Sequence, residues 1–77
     1  MTAADGIVYI AVPPKHIVDV TWAFEGYEHL ALVTTIDNSQ GIVKLIATPD
    51  TVPDVLQILQ NMSFSVIILE RFIENTD

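Results

Sequence analysis

Apolar positions along the chain change period several times, and each change marks a predicted element. The continuously apolar, β-branched run over residues 6–12 predicts a buried strand that ends at Pro13-Pro14. From Pro14 to Gly26 the apolar residues recur at helical spacing instead, which predicts an amphipathic helix. The side of this helix that is expected to face the core comprises Ile17, Val20, Thr21, Phe24 and Tyr27.

The second half of the chain repeats the strand–helix–strand order after a hairpin. Two apolar runs over residues 30–36 and 42–48 flank the turn sequence 37–41, which ends in glycine and predicts a β-hairpin. A broad apolar stripe over residues 51–62 predicts a second helix. The run over 64–69 predicts a fourth strand, since it is short, apolar and β-branched.

The resulting order β-α-β-β-α-β predicts an α+β fold of the ferredoxin-like type, in one domain over residues 1–77. Right-handed crossovers place both helices on one face of a four-stranded antiparallel sheet, with the first and third strands in its centre. We expect an ordered core over about residues 6–73, with frayed ends on both sides.

Two resemblances accompany this order. The order, the size and the hairpin position resemble an ACT domain, a small ferredoxin-like module that binds amino acids and regulates enzymes. The segments 24–37 and 41–45 are similar to a family of short bacterial domains of unknown function, over about residues 8–69. Ligand-binding ACT domains carry a glycine between the first strand and the first helix, whereas residues 12–16 hold two prolines and no glycine. We therefore carry over no ligand residue, and expect free amino acids to bind weakly or not at all.

The composition points to a partner surface. Charged residues make up 17% of the chain against a usual ~25%, while apolar residues make up 51%. A chain of 77 residues buries only about 60% of its extended surface, so apolar side chains must remain on the outside of the monomer. The helical period places Val18 and Trp22 away from the core side of the first helix, which makes them interface candidates.

The open face of the predicted sheet is the second candidate interface. We expect Lys44 to face away from the helices, so that Ile42 and Ile46 share its face together with Tyr9 of the first strand. A sheet with one solvated face alternates apolar and polar residues, and this one does not. We therefore expect a homodimer whose interface is either this face or the Trp22 side of the helix.

Few residues of the chain are suited to catalysis or to binding a metal or cofactor. The absence of cysteine excludes disulfides, iron–sulfur clusters and thiol catalysis. His16 and His29 flank the first helix about 20 Å apart, so we expect no metal site within one chain, and no cofactor. The serines and glycines form no nucleophile elbow or phosphate loop, and we expect no enzymatic activity.

One positive ligand hypothesis concerns Lys15 and His16. Both lie at the amino end of the first helix, where unpaired N–H groups and the helix dipole favour a small anionic ligand. The net charge of −7 argues against nucleic acid and anionic membranes as partners. No apolar run approaches the ~18 residues of a membrane-spanning helix, and with no export signal we expect a cytoplasmic protein.

Taken together, these features predict a non-enzymatic regulatory or assembly module that homodimerises. One alternative is a sensor that binds an amino acid or another anion at a subunit interface. Another is a small dimeric enzyme with a pocket between two stacked sheets. A buried cleft with convergent polar groups would favour the enzyme, and a dry, continuous apolar interface would favour assembly.

Overall fold

The computed structural model describes residues 5–69 of the chain. The first half contains strand β1 (Ile7–Ala11), a single 3₁₀ turn (Pro14–His16) and helix α1 (Ile17–Glu25). The elements that follow are β2 (Leu32–Asp37), β3 (Ile42–Ile46), α2 (Val52–Gln60) and β4 (Ile67–Leu69). This order is the one that the sequence predicts.

The strands form one antiparallel sheet in the order β2-β3-β1-β4, with β1 and β3 in the centre as predicted. Across the centre, Tyr9 lies opposite Lys44, and on the other side of β1 it lies opposite Leu69 of β4. Both helices pack on one face of this sheet, which is the ferredoxin-like arrangement.

A single apolar cluster joins the sheet to both helices. Its largest fully buried side chains include Ile10 and Leu45 from the central strands, Phe24 from α1 and Leu59 from α2. Full burial of one such side chain stabilises the fold by about 1.5–3 kcal/mol. Isolated helices of nine residues are not stable in water, so this cluster is what holds α1 and α2 in place.

Gly41 makes a close backbone contact that no other residue type would allow. Its φ of +76° lies in the left-handed region, and its carbonyl accepts the N–H of Val12 at 2.9 Å. A Cβ atom at this position would clash with the Val12 carbonyl oxygen. The contact fastens the end of β1 to the start of β3.

Helix α1 is shorter than predicted. The segment after Pro13 makes one 3₁₀ turn before the α-helix begins, and the helix ends at Glu25 with Gly26 as its cap at a helical φ of −83°. The prediction that Tyr27 lies in the core is wrong, because its side chain is 47% exposed. Tyr27 falls in the turn after the helix, where its N–H donates to the carbonyl of Phe24 at 2.9 Å.

The fourth strand is also shorter than predicted, since β4 covers only Ile67–Leu69 and Phe64 precedes it. Residues 70–73 of the predicted core lie outside the described residues.

Thr51, at the start of α2, joins two elements through its hydroxyl. The hydroxyl accepts the N–H of Thr48 at 3.1 Å and donates to the carbonyl of Leu30 at 2.9 Å. The start of α2 is thereby tied to the chain just ahead of β2.

Candidate functional site

The turn between β1 and α1 positions the predicted anion-binding pair. Pro13 and Pro14 remove two backbone donors, and the N–H of His16 donates to the carbonyl of Pro13 at 2.8 Å. Lys15 is exposed on this turn. The structure therefore brings Lys15 and His16 to the same end of α1, as predicted.

The imidazole of His16 already has partners on two sides. Its Nδ1 lies 2.7 Å from the Oδ2 atom of Asp19, in the first turn of α1. Its ring stacks on Phe64 with a centroid distance of 4.3 Å and an interplanar angle of 3°. The Asp19 carboxylate supplies negative charge where an anion would bind, so this geometry favours a structural role for His16.

The two histidines stand at opposite ends of α1, and His29 lies beside Tyr27 with a ring-centroid distance of 6.3 Å. Within residues 5–69, no three His, Asp or Glu side chains come close enough together to hold a metal ion. No helix of this part of the chain is long and apolar enough to cross a membrane.

The face of the sheet opposite the helices, here called the open face, carries the predicted strand residues. The register places Tyr9, Lys44 and Ile46 on it, and the Lys44 ammonium lies 5.9 Å from the centroid of the Tyr9 ring. Ile46 is exposed. Ile42 shares this face through its pairing with Ala11 but is only 8% exposed, so an exposed role for Ile42 is not supported.

Leu32 and Ile67 extend the open face to both edges of the sheet. Leu32 is 59% exposed and lies opposite Ile46, while Ile67 is exposed at the other edge and lies opposite Ala11. Sequence reasoning missed Leu32 as an interface candidate. The signal was present in β2, because the two-residue period of a strand places Leu32 on the same face as the polar Thr34.

The outer side of α1 carries the other two predicted interface residues. Trp22 is 61% exposed and Val18 is 43% exposed, because both lie on the side of the helix opposite the buried Val20 and Phe24. Tryptophan is enriched at the energetic centres of protein interfaces. The helical period alone was sufficient to place these two side chains.

A crevice of about 140 Å³, which sequence reasoning did not find, lies between α1 and the start of β2. Its apolar wall includes Phe24 and Val33, and its rim carries Glu25 and Glu28. It is smaller than the roughly 300–1,000 Å³ of typical small-molecule sites.

The hairpin between β2 and β3 is organised by one carboxylate. The Asp37 carboxylate accepts the Ser39 hydroxyl at 2.8 Å, the N–H groups of Ser39 and Gln40, and the Gln40 side-chain amide at 2.8 Å. The hydrogen bond from the Ser39 hydroxyl contributes most to holding the pKa of Asp37 below its usual value of 3.8. These bonds are local to the turn, so we assign this carboxylate a structural role.

Comparison with known proteins identifies a family. The family model for the Domain of unknown function (DUF4911) matches residues 10–66, or 57 of the 77 residues. No curated protein and no solved structure matches the chain. The resemblance to ACT domains therefore stays a prediction. The match spans the end of β1, both helices, β2 and β3, and the chain belongs to the family described as Domain of unknown function (DUF4911).

Proposed function

We propose that this chain is a non-enzymatic cytoplasmic module that forms a homodimer and acts in regulation or assembly. The observation that carries the proposal is the set of large apolar side chains left outside the core of so small a domain. They occupy the outer side of α1 at Val18 and Trp22, and the open face at Leu32, Ile46 and Ile67.

Burial of these side chains supplies free energy on the scale of a dimer. On the outer side of α1, Trp22 leaves 61% of its surface in water and Val18 leaves 43%. At about 1.5–3 kcal/mol per fully buried side chain, covering both residues in both copies contributes about 3–6 kcal/mol. Association costs about 4–15 kcal/mol, so this burial offsets the lower part of that range. Further contacts across the interface must supply the rest.

The local chemistry supports assembly over catalysis. His16, which the sequence proposes together with Lys15 for binding a small anion, is stacked on Phe64 and hydrogen-bonded to Asp19. The crevice beside α1 is open and small for a substrate.

Light scattering coupled to size-exclusion chromatography tests the proposal. We use a concentration of about 100 μM, which lies well above a micromolar dissociation constant. Under these conditions we expect a mass of about 17 kDa, twice the 8.5 kDa of one chain. A folded monomer at that concentration contradicts the proposal. If the protein is a dimer, Trp22→Glu and Ile46→Glu distinguish the two surfaces, because only the substitution within the interface releases monomers.

A further inference from the structure

We propose that the crevice between α1 and the start of β2 binds the side chain of a lysine that belongs to a partner protein. The aliphatic part of this side chain lies on the apolar wall of the crevice, and its ammonium group reaches the carboxylates of Glu25 and Glu28 at the rim. All residues that line the crevice come from one chain, so the site does not depend on the proposed homodimer.

The crevice has the size and the lining that one aliphatic side chain requires. Its volume is about 140 Å³, and an apolar cavity of about 150 Å³ is large enough to bind benzene. A lysine side chain has about as many non-hydrogen atoms as benzene. The lining includes the buried Phe24 and Ala31 and the half-buried Val33. The crevice is therefore small for a metabolite but sufficient for a single side chain.

The rim of the crevice carries two negative charges at the end of a helix that already favours cations. Glu25 is the last residue of α1, Glu28 lies in the turn that follows, and both side chains are exposed. The last turn of α1 contains no basic residue. Carbonyl groups at the carboxyl end of a helix carry partial negative charge, so two carboxylates there are repelled. A cation that binds at the rim relieves this repulsion.

The basic residues of the chain are placed elsewhere in the fold. Neither Glu25 nor Glu28 forms an ion pair within the part of the chain that the structure describes. Lys15 precedes the opposite end of α1, and Lys44 lies on the open face of the sheet. Arg71, which lies outside the described residues, follows β4, the strand at the opposite edge of the sheet from β2. The net charge of −7 also attracts a basic partner over a longer range.

An apolar wall below an acidic rim favours lysine over other cations. Lysine buries its aliphatic stem on apolar surface while its ammonium group stays in water. The ammonium group has several rotatable donors that two carboxylates can share, whereas the planar guanidinium of arginine requires acceptors in a fixed geometry. A metal ion gains nothing from the apolar wall. A free amine of this size makes few contacts, so we assign the lysine to a protein whose other residues add to the affinity.

Nuclear magnetic resonance titrations of the natural chain test the site. The probe is a short capped peptide with one lysine between alanines. One matched peptide carries norleucine, which keeps the stem without the charge, and another carries diaminopropionate, which keeps the charge on a shorter stem. We expect the lysine peptide to shift the backbone amide resonances of Glu28, Ala31 and Val33 until they saturate. Each methylene withdrawn from the wall weakens binding about fourfold, so the diaminopropionate peptide should bind about fivefold more weakly or worse.

Replacement of the rim carboxylates gives a second readout. Glu25→Gln combined with Glu28→Gln should raise the dissociation constant of the lysine peptide about threefold or more, because two exposed ion pairs are lost. Asp50→Asn combined with Asp54→Asn removes the same charge at the start of α2 and should leave the dissociation constant unchanged. Circular dichroism establishes that both double variants are folded.

Several outcomes overturn the lysine site. Equal binding of the lysine and norleucine peptides excludes a role for the charge, and equal binding of the lysine and diaminopropionate peptides excludes a role for the wall. The same shifts with magnesium chloride at the same concentration show a general attraction of cations. If the Glu25 and Glu28 double variant releases monomers from a dimer, a second copy occupies the crevice, so the lysine site is wrong and the homodimer stands. If Arg71→Gln alone shifts the same resonances, the chain fills its own crevice and the proposal is wrong.

Discussion

Replacement of Gly41 by alanine tests the reasoning about the contact between β1 and the hairpin. The added Cβ meets two obstacles, a φ of +76° and the carbonyl oxygen of Val12. The start of β3 must move to relieve the clash, which weakens the 2.9 Å hydrogen bond from the Val12 N–H. Gly26→Ala is the matched control, because its φ is −83° and no atom lies within 4 Å of the added Cβ.

The two substitutions are expected to change stability in opposite directions. A residue held in an unfavourable backbone region costs about 1–3 kcal/mol, and loss of one hydrogen bond costs about 0.5–1.5 kcal/mol. Gly41→Ala should therefore lower the free energy of unfolding by about 2–4 kcal/mol. A domain of this length has about 4–12 kcal/mol in total. Gly26→Ala should raise the free energy of unfolding by about 0.4–1 kcal/mol, because alanine reduces the entropy of the unfolded chain.

Urea unfolding followed by circular dichroism measures both values, with all proteins at one concentration because dimerisation shifts the midpoint. Thermal unfolding should show a fall in Tm of about 10–30 °C for Gly41→Ala. The reasoning is refuted if the free energy of unfolding of Gly41→Ala lies within about 0.5 kcal/mol of that of the natural protein. It is also refuted if both substitutions change the free energy of unfolding equally.

Four further predictions follow from single features. Thr51→Val should lower the free energy of unfolding by about 1–2 kcal/mol in urea titrations, because it deprives the Leu30 carbonyl of its donor; Thr51→Ser keeps the hydroxyl and should cost less than half as much. Because the pKa of Asp37 is lowered in the folded protein, the ionised carboxylate stabilises the fold fully above pH 3.8. This contribution to the free energy of unfolding is lost as the pH falls through the pKa that Asp37 has in the folded protein. The difference in free energy of unfolding between the natural chain and Asp37→Asn should therefore shrink below about pH 4. A difference that stays constant between about pH 6 and pH 2 contradicts a stabilising role for the ionised carboxylate. Thermal-shift assays with the twenty amino acids should show no saturable stabilisation, since prolines occupy the turn before α1; one clear stabiliser would favour the sensor. Metal analysis of protein purified without an affinity tag should give substoichiometric zinc and nickel, because His16 and His29 stand at opposite ends of α1; one ion per chain or per dimer contradicts this.

The order of elements and the orientation of α1 were readable from the sequence. A change between helical and strand periods is a local property, since it depends only on neighbouring residues along the chain. The same period placed Trp22 and Val18 outside the core, where the structure has them. Alternation in β3 likewise placed Lys44 and Ile46 on the open face.

Contacts between distant segments were decided only by the tertiary structure. The partner that stacks on His16 is Phe64, 48 residues further along the chain, and no local pattern links the two. Burial of Ile42 and exposure of Tyr27 both depend on what packs around them, which the period does not specify. The irregularity in β2 arises in the same way. The predicted order of elements already places β2 at an edge of the sheet, but only its pairing with β3 shows that the register shifts between Thr35 and Asp37, because a shift in register depends on how two strands pair.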